Sequence, residues 1–410
     1  MSDPMRVRPH RGESPRSLRV TVLSHTATLG GAELALVRLL GALPANDCEV
    51  NVILLESGPL RDALVAAGVE VRVVPLRAET LALSRRDLLR SPAKTLRAVA
   101  DIAAAWIHIQ RCVRDSAPDI VQTNSMKAHV IGVALKVVTR TPLVWYLHDR
   151  LAPDYLPRIV AAVLRALSLV PDHVIVNSAA TAATVPRRTT VAYPGFAAEQ
   201  ALGPAQVMTR RAEEATFLLL GRISPTKGQM EFVQAAAQVL QREPRARFLI
   251  AGAPVFGSVD YCDAVHERVR QEGLEDAFEF LGFTAQPEGL FDRVTALVHA
   301  SPVPEPFGQV VLEACVRGVR VIATRAGGVP EILSNDEGAT LGILVPPGDP
   351  TALASAMLEV LTDPRASRAR ALRAHEFALG RFPVTATATE VRAVWTGLRQ
   401  RPLRREGPLG

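Results

Sequence analysis

A chain of 410 residues, 48% of them hydrophobic, has the length for two or three domains and ample material for their cores, which excludes disorder except at the ends. The four cysteines, Cys48, Cys112, Cys262 and Cys315, share no short paired spacing; this excludes a zinc ribbon, a redox motif and a disulfide framework, and points to a reducing cytoplasm. The net charge of +6 is uneven, with 24 Lys+Arg against 16 Asp+Glu in residues 1–195 (net +8) and −2 over the remainder. Such asymmetry fits either a solvated basic face or an anionic partner of the first half. Aromatic residues are too few and dispersed for a nucleic-acid stacking platform, so no nucleic-acid partner is expected.

Residues 1–17 are rich in Arg, Pro and Ser, lack the apolar stretch of a secretory signal, and read as a disordered tail. LRVTVLSH (18–25) is then a β-rich run, followed by a Gly-Gly turn and the helical pattern AELALVRLLGAL. EVNVILLE, VEVRVVP, DIVQTN, PLVWYLH and HVIVNS read as further buried strands, with helical periods such as 94–114 and 156–169 between most of them. PGFAAEQALGPAQ (194–206) breaks the rhythm and reads as a linker. A second series follows: TFLLLG, RFLIAG, AFEFLG, ALVHAS, VRVIAT and LGILVP, then a helical pattern at about 384–400 and a basic tail, 401–410. No run of about eighteen apolar residues occurs, so no membrane-spanning helix is expected.

Strands alternating with helices imply parallel sheets covered on both faces. The expected fold is α/β, with two doubly wound Rossmann-like domains, 18–195 and 215–383, joined by a linker at 196–214 and facing across a cleft. In such sheets ligands bind beyond the carboxyl ends of the strands, so the residues just after each strand carry the information.

SHTATLGGAE places Gly30 and Gly31 at a helix start, where free backbone N–H groups favour a phosphate; a plain βα turn is the other reading. TFLLLGRISPTKGQ puts Arg222 and Lys227 around a Ser-Pro turn, where they can converge on a pyrophosphate or simply be solvated. In SPVPEPFGQVVLEACVRGVRVIATRAGGVPEIL (301–333), Pro302, Pro304 and Pro306 force a loop around Glu305, and Glu313 is expected about two turns along the following helix. Gly327 and Gly328 then form a second tight loop, with Pro330 at an early helical position. Carboxylates accept from sugar and ribose hydroxyls while glycine amides line a phosphate, a combination that suits a nucleotide sugar.

Glu305-x7-Glu313 preceded by ALVHASPVP, together with GRISPTKG, the RAGGVPEI loop and LVPPGDPTALA, resembles the retaining glycosyltransferases of family 4, the GT-B class. The likeness covers most of the second domain. It is looser in the first, in LGGAELALVRLL, VQTNSMKAHVIG, TPLVWYLHDR and HVIVNSAAT. The resemblance implies that Arg222 and Lys227 bind the pyrophosphate, Glu313 the ribose and Glu305 the donor hexose. Gly327, Gly328, Phe307, Gly308, Gly30 and Gly31 would complete the donor site, and His148 would reach the sugar from the first domain. It also implies that 384–400 packs back on the first domain, that catalysis needs no metal and no other cofactor, and that the acceptor is a glycan, a lipid-linked molecule or a small molecule. One departure is VAYPGF at the interdomain turn, with Pro194 before Gly195 where many relatives carry Asn-Gly.

Rival readings fit less of the sequence. A glycosidase carboxylate pair leaves the basic loop and the Gly-Gly loop unexplained, and no Asp-x-Asp, His-rich cluster or Gly-x-Ser-x-Gly elbow is present. His25, His129 and His299 read as local hydrogen-bonding groups. A nucleotide-sugar epimerase of related architecture and a non-catalytic nucleotide-sugar-binding protein remain as alternatives. Finally, Arg85, Arg86, Arg90, Lys94 and Arg97 precede an apolar segment in 83–114; this suggests either peripheral contact with an anionic inner membrane face or an ordinary surface helix.

Overall fold

The computed structural model describes residues 16–44, 47–75, 92–210, 215–254, 258–284 and 286–400. The first sheet is built from β1 (Leu18–Ser24), β2 (Cys48–Leu54), β3 (Glu70–Val73), β4 (Ile120–Thr123), β5 (Leu143–Leu147), β6 (His173–Val176) and β7 (Thr190–Val191). Its order is β3-β2-β1-β4-β5-β6-β7, and every pair is parallel. The second is built from β8 (Thr216–Leu220), β9 (Arg247–Ala251), β10 (Phe278–Gly282), β11 (Ala296–His299), β12 (Arg320–Thr324) and β13 (Ile343–Val345), in the order β10-β9-β8-β11-β12-β13, again all parallel. Both domains are Rossmann-like and doubly wound, and in each the strand order reverses beside the first strand, which opens a crevice there.

Successive side chains of a strand point to opposite faces, and β5 shows why a wholly apolar run is needed. Val144 and Tyr146 enter one cluster while Leu143, Trp145 and Leu147 enter the other. Helices Gly31–Gly41, Pro59–Ala66 and Val384–Arg399 cover the first face; Pro92–Ser116, Met126–Thr139 and Arg158–Leu167 cover the second. In the other domain Phe217 and Leu219 pack under helices Gln229–Leu240 and Pro350–Thr362, and Leu218 packs under Gln309–Val316 and Pro364–Arg381.

The chain crosses between domains twice at one place. The Phe196 amide donates to the Phe382 carbonyl at 3.0 Å and the Val384 amide donates to the Phe196 carbonyl at 2.9 Å. A Cβ on Gly195 would lie 2.5 Å from the Val384 backbone, so the close approach requires glycine after Pro194. The connecting stretch is docked on the second domain: it carries helix Pro204–Thr209, the Leu202 amide donates to Val316 O at 3.1 Å, and Arg317 donates to Gln200 O at 3.1 Å. The final helix, Val384–Arg399, sits on the first domain, where Trp395 is fully buried and donates through Nε1 to Gln122 Oε1 at 2.9 Å.

Two details differ from the sequence reading. Helix Gln309–Val316 begins directly after the Pro-rich loop, so Glu313 lies a little over one turn in, not two. The two-residue strand β7 is too short to leave a pattern. Among the described residues no helix is long and apolar enough to cross a membrane.

Candidate active site

The loop after β8 holds Arg222 and Lys227, and the loop after β11 holds Glu305. Lys227 Nζ lies 2.8 and 2.7 Å from the two Glu305 oxygens, with the side chains only 20% and 18% exposed. His299, at the end of β11, brings Nε2 to 3.6 Å from Glu305 Oε2. Burial alone would raise the Glu305 carboxyl, but Lys227 and then His299 outweigh it and hold the group well below the usual carboxylate range. Glu305 is therefore ionised throughout the neutral region.

The loop after β12 is zipped onto the Glu305 loop. Glu305 and Gly327 form a parallel bridge, and the Gly328 amide donates to the Glu305 carbonyl at 2.9 Å. Phe307 and Gly308 follow directly; Phe307 is buried against Tyr193 and Phe382 at the crossing point, and Gly308 is the N-cap of Gln309–Val316.

From the other side comes helix Gly31–Gly41. A Cβ on Gly31 would lie 3.1 Å from Gln309 Oε1, so the Gly30–Gly31 turn abuts the start of the helix that carries Glu313. Seven residues further on, Arg38 Nη1 lies 3.6 Å from Glu313 Oε1. Burial lifts Glu313 to about 7; Arg38 pulls it down and Glu288 pushes it up.

His148 follows β5. Its Nε2 lies 3.1 Å from Asn124 Oδ1, an acceptor, which places the proton of the neutral ring on Nε2 and leaves Nδ1 as an acceptor. Burial lowers its pKa to about 4, so the ring is neutral. Asp149, next in the chain, accepts from the Tyr155 hydroxyl at 3.0 Å, and burial raises its carboxyl while Arg222 and Glu305 act on it from the opposite domain. Glu33, in the first turn of Gly31–Gly41, is likewise raised by burial and feels Asp149 and Arg222.

The cleft thus brings together His148, Arg222, Glu305, Lys227, Gly30, Gly31, Glu313, Gly327 and Gly328. Sequence reasoning missed Glu33, Arg38, Asp149, Tyr155 and Gln309. Asp149 could have been found, because it follows His148 at a strand end; Arg38 could not, because its partner lies in the other domain. His25, His129 and His299 hydrogen-bond Ser125, Thr123 and Thr324 respectively. Among the described residues no group of three or more His, Cys, Asp or Glu could hold a metal ion. Arg85, Arg86 and Arg90 lie outside the described residues.

Glu331 belongs to the RAGGVPEI loop that the sequence marks out, but the sequence gives it no role. Its carboxylate accepts from the Ala179 and Ala180 amides at 2.9 and 2.8 Å and from the Tyr193 hydroxyl at 2.9 Å, and Ser178 Oγ donates to the Pro306 carbonyl. One carboxylate therefore fastens the glycine loop of the second domain to the first. Glu331→Ala strips charge-assisted bonds from three donors, at about 2 kcal/mol. The expected result is a melting temperature lower by a few degrees and a larger radius of gyration by small-angle scattering; an unchanged radius would show that other contacts hold the domains.

Residues 206–376 match the family Glycosyl transferases group 1, and residues 30–195 match the Glycosyl transferase 4-like domain. The D-inositol 3-phosphate glycosyltransferase of Kribbella flavida is 29% identical over 289 residues, 64% of this chain and 67% of that protein. The 2-deoxystreptamine N-acetyl-D-glucosaminyltransferase of Niallia circulans is 28% identical over 42% of each chain. Among solved structures, HepE of Anabaena in complex with UDP-glucose is 25% identical with a TM-score of 0.79, over 93% of this chain and all of that one. With both halves of the chain matched and two doubly wound domains meeting at the cleft, the protein belongs to the family 4-like group 1 glycosyltransferases of GT-B architecture.

Proposed function

We propose that this glycosyltransferase moves a sugar from a nucleoside-diphosphate donor to an acceptor hydroxyl with retention at the anomeric carbon and without a bound metal. The observation that carries the reading is the Lys227–Glu305 pair at the strand ends, a cation for the diphosphate held beside an ionised acceptor for sugar hydroxyls. The UDP-glucose complex of HepE supports a nucleotide-sugar donor. In this reading Arg222 and Lys227 offset the charge that builds on the leaving diphosphate. Glu305 holds the hexose and Glu313 the ribose, the glycine turns and Gly308 let the donor approach the backbone, and Phe307 seats the loop. His148 Nδ1 accepts from a sugar hydroxyl and so positions the ring. The acceptor oxygen bonds to the anomeric carbon on the face the diphosphate leaves, and its proton passes to a donor phosphate oxygen.

The acceptor, a glycan, a lipid-linked molecule or a small molecule, enters from the first domain. A cytoplasmic site is part of the reading, in keeping with four cysteines that are all free.

Incubation with a panel of nucleotide sugars tests the reading. A transferase slowly hydrolyses its donor to nucleoside diphosphate and free sugar; an epimerase returns an isomeric nucleotide sugar instead, and a binding protein leaves every donor intact. With the donor identified, Glu305→Gln should weaken binding only when the sugar is present, whereas Glu313→Gln should weaken the bare nucleoside diphosphate as well. Because Glu313 titrates at about 7, the carboxylate that accepts from both ribose hydroxyls gains population as pH rises. Affinity of the parent should therefore increase from pH 6 to about 8 more than that of Glu313→Gln. Parallel pH profiles for the two proteins would remove Glu313 from the ribose.

A further inference from the structure

The outer surface of one helix layer carries most of the exposed apolar side chains. Among the described residues thirteen large hydrophobic side chains are exposed, and nine of them lie between Ile107 and Val170. Ile159 is 79% exposed, Val137 73% and Leu169 58%. Helix Arg158–Leu167 buries Ala161 and Leu164 on its inner face and leaves Ile159, Val160 and Val163 on the outer one. Helices Pro92–Ser116, Met126–Thr139 and Arg158–Leu167 share one interior cluster through Ile109, Leu135 and Leu164, so their outer faces form one layer. Lys136 Nζ donates to the Val170 carbonyl at 2.8 Å, which ties the end of Met126–Thr139 to the turn carrying Leu169 and Val170.

Positive charge accompanies this face. Residues 126–191 hold eight Lys+Arg against three Asp+Glu, and all three carboxylates are engaged. Asp172 meets Lys136 at 2.8 Å, Asp154 meets Arg150 at 2.9 Å, and Asp149 bonds Tyr155 in the cleft. Arg187 donates to the carbonyls of Pro171 and Asp172, which orients it without neutralising it. Arg158 and Arg188 are exposed, and among the described residues neither pairs with a carboxylate.

We propose that this face docks on an anionic lipid bilayer, its aliphatic side chains entering the headgroup boundary and its arginines resting at the level of the phosphates. A second copy of the chain would bring the same positive charge to the contact, and a nucleic acid would need stacking rings where the exposed apolar side chains are all aliphatic. The inference stands apart from the donor chemistry and concerns residues outside the cleft.

Co-flotation of the full chain with phosphatidylcholine vesicles, with and without phosphatidylglycerol, is the test. Anionic vesicles should bind at least ten-fold more protein than neutral ones, with binding falling as salt rises. Ile159→Glu with Val163→Glu should lower that binding ten-fold or more, as should Arg158→Glu with Arg188→Glu, while both double variants keep the parent melting temperature and donor hydrolysis. Equal recovery with both vesicle types, no recovery, or recovery indifferent to all four substitutions overturns the proposal. So does self-association of the parent in sedimentation that the Ile159 and Val163 substitutions abolish, which would assign the face to a second copy. Should one double variant fail to fold, the other still decides the outcome.

Discussion

Lys227→Ala is expected to lower kcat/KM for the donor by about 10²-fold or more and to weaken the bare nucleoside diphosphate by at least about ten-fold. Two losses combine. The diphosphate loses a charge-assisted bond of about 1.5–3 kcal/mol, and the Glu305 carboxylate, 18% exposed, loses the cation that holds it ionised. Breaking such a pair from one side costs about 3 kcal/mol where burial is deep. Thermal unfolding provides a second readout with a definite sign. Lys227 and His299 hold Glu305 below the ordinary range of a glutamate carboxyl, so its contribution to stability is present above that range and is lost as the pH falls through it toward the lowered value. The melting-temperature gap between parent and variant should therefore be widest near neutrality and should narrow in acid. Calorimetric titration with unchanged affinity for every nucleoside diphosphate that binds the parent would remove Lys227 from the site.

Gly327→Ala should be comparably damaging through geometry alone. Gly327 has φ +65°, and its Cβ would fall 1.9 Å from the Glu305 carbonyl oxygen and 2.8 Å from the Glu305 nitrogen, both backbone atoms. The Glu305 loop or the glycine loop must then move, carrying with it the 2.9 Å bond from the Gly328 amide. Gly348 supplies the control: its φ is +69°, but no atom lies within 4 Å of its Cβ position. Gly348→Ala should cost only the left-handed backbone penalty, about 1–2 kcal/mol, with activity unchanged. Gly327→Ala should lose about 10²-fold in kcat/KM. Equal kinetics for the two variants would mean that the pairing of the loops does not position the donor carboxylate.

Twelve of the thirteen strands among the described residues were legible because a parallel sheet buried on both faces demands unbroken apolar runs, and LVWYL of β5 or TFLLL of β8 can hardly be read otherwise. Lys227, Glu305 and the Gly327–Gly328 turn were legible for a related reason: each lies in the loop that follows a strand, so its place at the carboxyl edge is fixed by the strand before it. Arg38, Gln309 and Glu331 were not. Each faces the other domain across the cleft, Gln309 against Gly31, Arg38 with Glu313, and Glu331 with Ala179, Ala180 and Tyr193. No local period encodes an encounter between two separately folded sheets. Glu313 was placed correctly on its helix but a turn too far along, because the Pro-rich loop gives way to helix at Gln309 without a polar cap to mark the start.

The return of helix Val384–Arg399 to the first domain has a consequence for the order of assembly during synthesis. The first domain leaves the ribosome with one flank of its interior uncovered, since Ala388, Val391, Trp395 and Leu398 belong to that cluster and Trp395 donates to Gln122 Oε1. The second domain needs none of those residues for its own interior. The domain translated first is therefore completed only after the second, and the nascent chain must keep Val20, Leu36 and Leu39 from other partners until residues 384–399 emerge.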